Sequence, residues 1–266
     1  MNLDKRLALF GGKAVRQKPF PERFLFDYKE KKIVNEILDY SIKSGKQIRY
    51  SDRYEKKYQE KFNNFMGSGG NSHCVNSGTN ALLCCLAALK LTKKSEVIVP
   101  SLTDVGCVTP VILMGLKPIP SDIDSHNFNI NVEQIRKKIT TKTKAVIVAH
   151  IGGEVANIIE IKKFLKKKKI YLIEDCSQSH GSKINNIRVG NFGDISFFST
   201  MASKLHCTGG TGGVVFSKNK KLIKLSKMFA DRGKLLDKNG NFTGKYTDFG
   251  INCTLDEISA AIGCVQ

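Results

Sequence analysis

The sequence lacks the long apolar runs that mark membrane proteins and secretory signals. Its most apolar stretch, residues 97–115, is interrupted by Asp104 and by two prolines, so it cannot supply the roughly 18 continuous apolar residues of a membrane-spanning helix. The first twelve residues have charges followed by only four apolar residues, too few for a signal peptide. We therefore predict a cytoplasmic protein with no membrane insertion.

Paired cysteine motifs are also absent. The eight cysteines form no C-x-x-C pair and have no metal-ligand spacing with the five histidines, which argues against a zinc site and a disulfide framework. We predict no metal, and we expect most cysteines to be small buried apolar side chains. They lie at positions 74, 84, 85, 107, 176, 207, 253 and 264.

Arginine is scarce although the chain is strongly basic. The net charge is +19, but 35 of the 43 basic residues are lysines, and the one dense run is KKFLKKKK at 162–169. Arginine reads bases and phosphates better than lysine does, and no basic stretch here is interleaved with aromatic residues. A solvated lysine-rich surface is favoured over a nucleic-acid site, which remains the alternative.

Strand and helix patterns alternate along the middle of the chain, which is typical of an α/β domain. Strands are predicted at 95–100, 117–123, 144–150, 170–175, 194–199 and 212–217, and helices at 105–115, 131–139 (capped by Asn131), 157–168 and 221–231. We expect a wide sheet with covering helices.

The two ends differ from this middle part. Residues 1–30 are rich in proline, glycine and charge, and we predict an arm there, followed by one large domain over 31–266. The last residues, TLDEISAAIGCVQ, have helical apolar spacing with Thr254 as the expected N-cap. Because no stop signal follows, we expect that a further C-terminal domain is missing.

Three segments carry residues suited to one ligand. In CVNSGTNALLCCLAAL a short strand leads through Ser-Gly-Thr into an apolar helix, whose free N–H groups and dipole favour an anion. Gly78 and Thr79 are the phosphate candidates there, and an ordinary N-cap without ligand is the alternative.

In YLIEDCSQSHGS an apolar strand ends at Asp175, which could hold a pyridinium nitrogen protonated, or could simply cap the next turn. Gln178 could reach a ring hydroxyl.

The third segment, FFSTMASKLHCTGGTGG, places Lys204 five residues after Ser199 and before a run of glycines. A lysine that forms a Schiff base must be neutral part of the time, so it needs a partly desolvated site. Glycines let the backbone pass close to a cofactor. A lone lysine is usually solvated, so Lys204 is a candidate only together with the other two segments.

Five ordered blocks of the chain resemble the DegT/StrS family of pyridoxal-phosphate-dependent sugar aminotransferases. They are NSGTNALLCCLAAL, EVIVPSLTDVGCVTPVILMGLKPIPSDID, AVIVAHIGGEVANI, LIEDCSQSHGSKINNIRVGNFGDISFF and GINCTLDEISAAIG, and the resemblance runs from about residue 10 to the last residue. It implies an α/β fold: the fold-type-I large domain, with a mostly parallel sheet of seven strands and helices on both faces.

The resemblance also implies roles for individual residues. Lys204 matches the lysine that carries the cofactor, pyridoxal 5'-phosphate, and Asp175 matches its partner at the pyridine nitrogen. The other cofactor-binding matches are Gln178 near the ring hydroxyl, Gly78, Thr79 and Ser199 at the phosphate, and Asn252, which would reach the phosphate in the neighbouring subunit. A homodimer with shared active sites is implied. The expected reaction transfers an amino group, usually from glutamate, to a nucleotide-linked keto sugar for amino-sugar and surface-polysaccharide synthesis.

Some positions depart from the family pattern. Asp104 stands where an aromatic residue commonly stacks on the pyridine ring, Thr211 replaces an acidic residue, and Thr254 replaces an arginine. Related sugar dehydratases carry histidine at the lysine position, so Lys204 favours amino transfer. The alternatives are a cofactor-binding homologue without catalysis and a sugar-nucleotide dehydratase.

Overall fold

A seven-stranded sheet forms the centre of the protein, and the computed structural model describes residues 7–23, 25–67 and 69–266. The strands are β1 (Asn71–Val75), β2 (Glu96–Pro100), β3 (Lys117–Ser121), β4 (Thr143–Ala149), β5 (Tyr171–Asp175), β6 (Lys183–Ile184), β7 (Ile187–Arg188), β8 (Ile195–Ser199), β9 (Gly213–Ser217), β10 (Lys234–Leu236) and β11 (Phe242–Tyr246). The helices are α1 (Tyr28–Ser44), α2 (Arg53–Met66), α3 (Gly78–Leu89), α4 (Thr109–Leu113), α5 (Val132–Lys138), α6 (Ile158–Lys168), α7 (Lys220–Ala230) and α8 (Glu257–Val265). Three short 3-10 helices cover Ala8–Phe10, Val105–Cys107 and Ile151–Gly153.

The strand order in the main sheet is β1-β9-β8-β5-β4-β2-β3. Strand β9 pairs antiparallel with both β1 and β8, whereas the pairs from β8 across to β3 are parallel. Six strands therefore point the same way, and their carboxyl ends meet at one edge. The predicted α/β class with a mostly parallel seven-stranded sheet is confirmed. Two hairpins, β6-β7 and β10-β11, lie outside this sheet.

Alternate residues of the strands pack into cores on opposite faces of the sheet. Val97, Ile147 and Val215 lie in the core that includes α3 and α7. Their neighbours in sequence, such as Ile98 and Val146, pack with α5 and α6, and others pack with α2 and α8. This period of two along buried strands puts helices on both faces of the sheet.

The N-terminal arm, as far as it is described, has no strand or α-helix before Tyr28. Helix α1 begins with a capping box, in which Asp27 and Glu30 bond to each other's backbone N–H groups. Residues 1–6 lie outside the described residues. The division into an arm over 1–30 and one large domain over 31–266 stays a prediction.

Two local predictions were wrong. The single helix expected over 105–115 is a 3-10 turn followed by the five-residue α4, because the ring of Pro110 fits only the first turn of a helix. The N-cap of α8 is Asp256 rather than Thr254, since the Asp256 side chain accepts from Ser259 N–H at 2.9 Å. Thr254 instead forms a bridge with Val75.

None of the helices within the described ranges is long and apolar enough to cross a membrane.

Candidate active site

A cleft of about 180 Å³ opens at the edge where the carboxyl ends of the parallel strands meet. Six of the seven residues predicted to bind the cofactor line it: Gly78, Thr79, Asp175, Gln178, Ser199 and Lys204. The others are Ser77, Asp104, Gly106, Cys107, Ser177, Phe197, Met201 and Thr211. Residues from four distant segments therefore share one cavity, hereafter the cleft. This is the edge at which open α/β sheets bind ligands.

One end of the cleft is the start of helix α3. Ser77 is the N-cap, and its side chain accepts from Asn80 N–H at 3.1 Å. The N–H groups of Gly78 and Thr79 belong to the first turn, where a helix has no carbonyl of its own to offer them. With the positive end of the helix dipole, they form a site suited to a phosphate.

Gly78 lies directly against the end of strand β8. A Cβ built on Gly78 would stand 2.6 Å from Ser199 Cβ, 3.0 Å from its Cα and 3.1 Å from its Oγ. Only glycine fits this approach, which brings the Ser199 hydroxyl beside the helix start. The residue pair thus joins two elements that are 121 positions apart in sequence into one anion cradle.

Asp175 ends strand β5 and is buried, with 8% of its surface exposed. Its Oδ1 accepts from Ser177 N–H at 2.9 Å, and its Oδ2 accepts from Cys107 Sγ at 2.8 Å. The carboxylate is therefore oriented from two sides and faces the cleft. No lysine or arginine forms an ion pair with it among the pairs found in the described residues.

Lys204 is half-buried in the loop between strands β8 and β9. The base of this loop is closed by Thr200 and Thr208, whose hydroxyls are 2.9 Å apart and whose backbones pair at 2.9 Å. Lys204 N–H donates to Met201 O at 2.9 Å. On the outside, Arg23 of the N-terminal arm donates to the carbonyls of Ser203 and Lys204, the latter at 2.7 Å. The lysine thus lies on a constrained turn.

Two histidines near Lys204 are neutral, and one of them, His206, belongs to this loop. Burial, followed by the charges of His206 and Lys204, lowers the pKa of His180 to about 3. Burial lowers the pKa of His206 to about 4, and its Nε2 lies 2.7 Å from the Tyr58 hydroxyl. Both rings are therefore uncharged near neutral pH and add no positive charge beside Lys204.

Gln178 is exposed at the cleft, and its Oε1 accepts from Gly152 N–H at 2.8 Å. This bond leaves the side-chain amide NH₂ as the group that can donate to a ligand. Asp104 is the N-cap of the 3-10 turn, with Oδ1 accepting from Gly106 N–H at 2.7 Å. The carboxylate at the position where the family commonly has an aromatic residue therefore caps a turn at the cleft wall.

Asn252 is not among the residues that line the cleft of its own chain. It is exposed, and it forms a backbone bridge with Asp231 beside the end of α7. Its neighbours Phe249 and Ile251 expose large apolar side chains. The single chain brings six of the seven predicted residues together and leaves Asn252 on the surface.

Sequence reasoning missed Cys107 and Ser177. Ser177 had a signal, since the N–H two residues after an aspartate commonly bonds the aspartate side chain. Cys107 had no signal in the sequence, because only the fold shows that the 3-10 turn lies beside β5.

A buried group of polar residues lies below the cleft. His150, Glu174 and Cys176 are the one cluster in the described part of the chain that could hold a metal. Two of the three already have internal partners: His150 Nε2 is 3.2 Å from Glu174, and Glu174 accepts from the N–H groups of Gly190 and Phe192, each at 2.8 Å. Burial raises the pKa of Glu174, but the bonds from His150 and the backbone outweigh it and bring the pKa below its ordinary value. The cluster ties strand β5 to the loop before β8.

Known proteins resemble most of this chain. The model of the DegT/DnrJ/EryC1/StrS aminotransferase family matches residues 28–266. GDP-perosamine synthase of Vibrio cholerae is 32% identical over 243 residues, covering 90% of this chain and 62% of that protein. The solved aminotransferase from Psychrobacter cryohalolentis superposes with a TM-score of 0.83 at 28% identity, covering 93% of this chain and 62% of that one.

A second solved structure is a GDP-4-keto-6-deoxymannose-3-dehydratase with a trapped PLP-glutamate geminal diamine. It has a TM-score of 0.81 at 27% identity, covering 93% of this chain and 67% of that chain. The chain thus spans 62% of the length of the Vibrio cholerae relative.

Proposed function

Because the chain belongs to the DegT/DnrJ/EryC1/StrS aminotransferase family, we propose that it binds pyridoxal phosphate in the cleft and transfers an amino group to a nucleotide-linked keto sugar. The observation that carries the proposal is the convergence of an anion cradle, a buried carboxylate and one lysine amine in a single cavity. The amino donor that we propose is an amino acid, glutamate.

The residues present fit the cofactor. A phosphate needs N–H donors and close backbone approach, which the start of α3 and the glycine at position 78 provide. A pyridine nitrogen needs a buried acceptor, which Asp175 provides. An aldehyde needs an amine, and Lys204 lines the same cleft. When bound, pyridoxal phosphate would supply a ring that accepts electrons from the bond being broken.

Each side chain then has a separate task. Gly78, Thr79 and Ser199 hold the phosphate and so fix the ring in the cleft. Asp175 keeps the ring nitrogen protonated, and Gln178 donates its amide NH₂ to the ring hydroxyl. The Lys204 amine would hold the cofactor through its aldehyde group, with loss of water, and as a free amine it would be the base that carries a proton beside the ring.

The substrate class is supported by the relatives. GDP-perosamine synthase is named for an amino sugar linked to a nucleotide, so we propose a nucleoside-diphosphate keto sugar as acceptor and amino-sugar or lipopolysaccharide synthesis as the setting. Localisation to the cytoplasm stays a prediction from the sequence.

We also propose a homodimer with shared active sites. Asn252 lies outside the cleft of its own chain, and Phe249 beside it is 71% exposed. A second copy that covers this apolar surface would bring Asn252 towards the partner's phosphate cradle.

The first test uses the purified chain incubated with pyridoxal phosphate, reduced with borohydride and mapped by peptide mass. We expect modification at Lys204, none in Lys204→Arg, and normal labelling in the control Lys218→Ala, whose lysine is exposed beyond strand β9. Labelling elsewhere, or none, contradicts the assignment.

The second test supplies glutamate and a nucleotide keto sugar. Net transfer of nitrogen supports the proposal. A labelled Lys204 with no product would indicate a cofactor-binding homologue without catalysis, and a deoxy product without nitrogen would indicate a dehydratase. Salt-sensitive nucleic-acid binding without a cofactor chromophore would favour the remaining alternative.

Mixing two inactive variants tests the shared site. If Asn252 acts across the dimer, random pairing of Lys204→Ala with Asn252→Ala makes half of the dimers mixed, each with one intact site, so about a quarter of parental activity returns. No recovery in a preparation shown to exchange subunits contradicts the shared site.

A further inference from the structure

Cys107 lies against the carboxylate that is proposed to face the ring nitrogen. It ends the 3-10 turn Val105–Cys107, is 2% exposed, and places Sγ 2.8 Å from Asp175 Oδ2. The turn itself is held by Asp104, whose carboxylate caps it at Gly106. A capped turn that also lines the cleft therefore brings the thiol to Asp175.

The thiol acts as a donor in this contact. Burial, followed by the nearby Asp175 charge, raises the pKa of Cys107 well above its ordinary value. A protonated thiol can only donate to a carboxylate, which has acceptor lone pairs and no proton to give. The second carboxylate oxygen is already fixed by Ser177 N–H at 2.9 Å. Both oxygens of Asp175 thus accept a bond, one from the turn that follows it and one from the 3-10 turn.

We propose that Cys107 is a positioning residue that orients the Asp175 carboxylate for the cofactor ring nitrogen. The inference rests on the proposed function. Without the Sγ–Oδ2 contact, only the Ser177 bond would fix the carboxylate, which could then rotate about its side-chain torsions. Loss of the contact would weaken cofactor binding, because a carboxylate that is already oriented loses less conformational freedom when the ring binds.

Two substitutions separate donation from packing. Cys107→Ser keeps a donor but removes apolar volume, whereas Cys107→Val keeps apolar volume but removes the donor. We expect pyridoxal phosphate to bind the serine variant within about twofold of the parent and the valine variant about threefold to tenfold more weakly, the range of one typical hydrogen bond. The readout is the dissociation constant from absorbance titration of the apo-protein, with apo-protein melting as a folding control.

The same substitution in a chain without the carboxylate gives the second readout. In an Asp175→Ala background, Cys107→Val should change the dissociation constant by less than about twofold, because the partner is gone. If Cys107→Val does not fold, Cys107→Ala replaces it as the variant without a donor.

The outcomes are distinct. Weak binding by the valine variant, rescue by serine and loss of the effect without Asp175 support the inference. Equal binding by serine and valine, or stronger binding by valine, overturns it and leaves a packing role. A parent chain that forms no Lys204 adduct overturns the proposed function and this inference together.

Discussion

Replacing Gly78 with alanine tests the contact that builds the phosphate cradle. The new Cβ would stand 2.6 Å from Ser199 Cβ and 3.0 Å from Ser199 Cα, whereas ordinary contact begins at 3.4 Å. Because one of the two opposing atoms is backbone, a rotamer change cannot remove the overlap. The start of α3 and the end of β8 must separate by several tenths of an ångström.

The expected cost follows from overpacking. Inserting a methyl group into a filled space costs about 1–3 kcal/mol, and the better helix propensity of alanine returns at most about 1 kcal/mol. A net loss of about 1–2 kcal/mol lowers the melting temperature of a chain of this size by about 2–4 °C. Since the Gly78 N–H and the Ser199 hydroxyl move apart, we also expect pyridoxal phosphate to bind roughly tenfold more weakly, a loss comparable to one hydrogen bond.

Melting curves and cofactor titration measure these effects. Gly210→Ala is the matched control, because a Cβ there meets nothing within 4 Å, and its melting temperature should stay within about 1 °C. Adding Ser199→Gly to Gly78→Ala removes the nearest atom and should restore part of the melting temperature. If the Gly78→Ala variant has the parental melting temperature and the parental affinity for pyridoxal phosphate, the close approach of Gly78 to Ser199 is contradicted, and so is the phosphate site that depends on it.

Three further predictions concern other parts of the molecule. Burial lowers the pKa of His73 to about 3. The stabilisation is therefore full above about pH 6.5 and falls at lower pH, because the unfolded chain takes up a proton that the folded protein excludes. His73→Leu should reduce the loss in urea-unfolding free energy between pH 7 and pH 5 by about 2 kcal/mol, and an unchanged loss would contradict the burial argument. Asp104→Phe should tighten pyridoxal phosphate binding about twofold to tenfold through ring stacking, although it loses the cap on Gly106; weaker binding in titration would count against a ring at this wall. Glu257 accepts from the N–H groups of Asp52, Tyr54 and Glu55 at the start of α2. Glu257→Ala should therefore lower the free energy of unfolding by about 1–3 kcal/mol in thermal melts and leave cofactor affinity unchanged. An unaltered melting curve would refute the capping role.

The buried strands could be predicted from sequence because each is a short apolar run bounded by turn residues. Their order could not, since it depends on which crossovers the helices make. The antiparallel pairing of β9 with both β1 and β8 has no local signal. The predicted helix at 105–115 failed for a local reason: Pro110 fits only the first turn of a helix, so it lies at the start of α4 and does not continue the turn that ends at Cys107.

Some residues of the candidate site could also be predicted from the sequence, and others could not. Asp175 and Gly78 were predicted as site residues because each lies where an apolar strand ends, and both line the cleft. Cys107 was missed because its meaning depends on a contact across 68 positions. Asp256 took the cap expected at Thr254, and both residues suit a cap by type, so only the local backbone decided between them.

The glycine run after Lys204 has a structural use besides the close backbone approach to a cofactor that the sequence indicated. A Cβ on Gly212 would lie 2.0 Å from Thr208 Oγ1, and one on Gly213 would lie 2.4 Å from Ser77 O. These two glycines are therefore needed for packing. Gly212 lets the base of the loop that carries Lys204 close, and Gly213 lets β9 pass the N-cap of α3. Gly210, in contrast, has open space around it. Since the Arg23 contacts hold the outer side of the loop as well, the amine is presented by a turn fixed at both ends. Under the proposed role, the Lys204 amine would bond to the aldehyde carbon of the cofactor and later act beside it, and such a turn would keep the backbone in place while only the side chain moves.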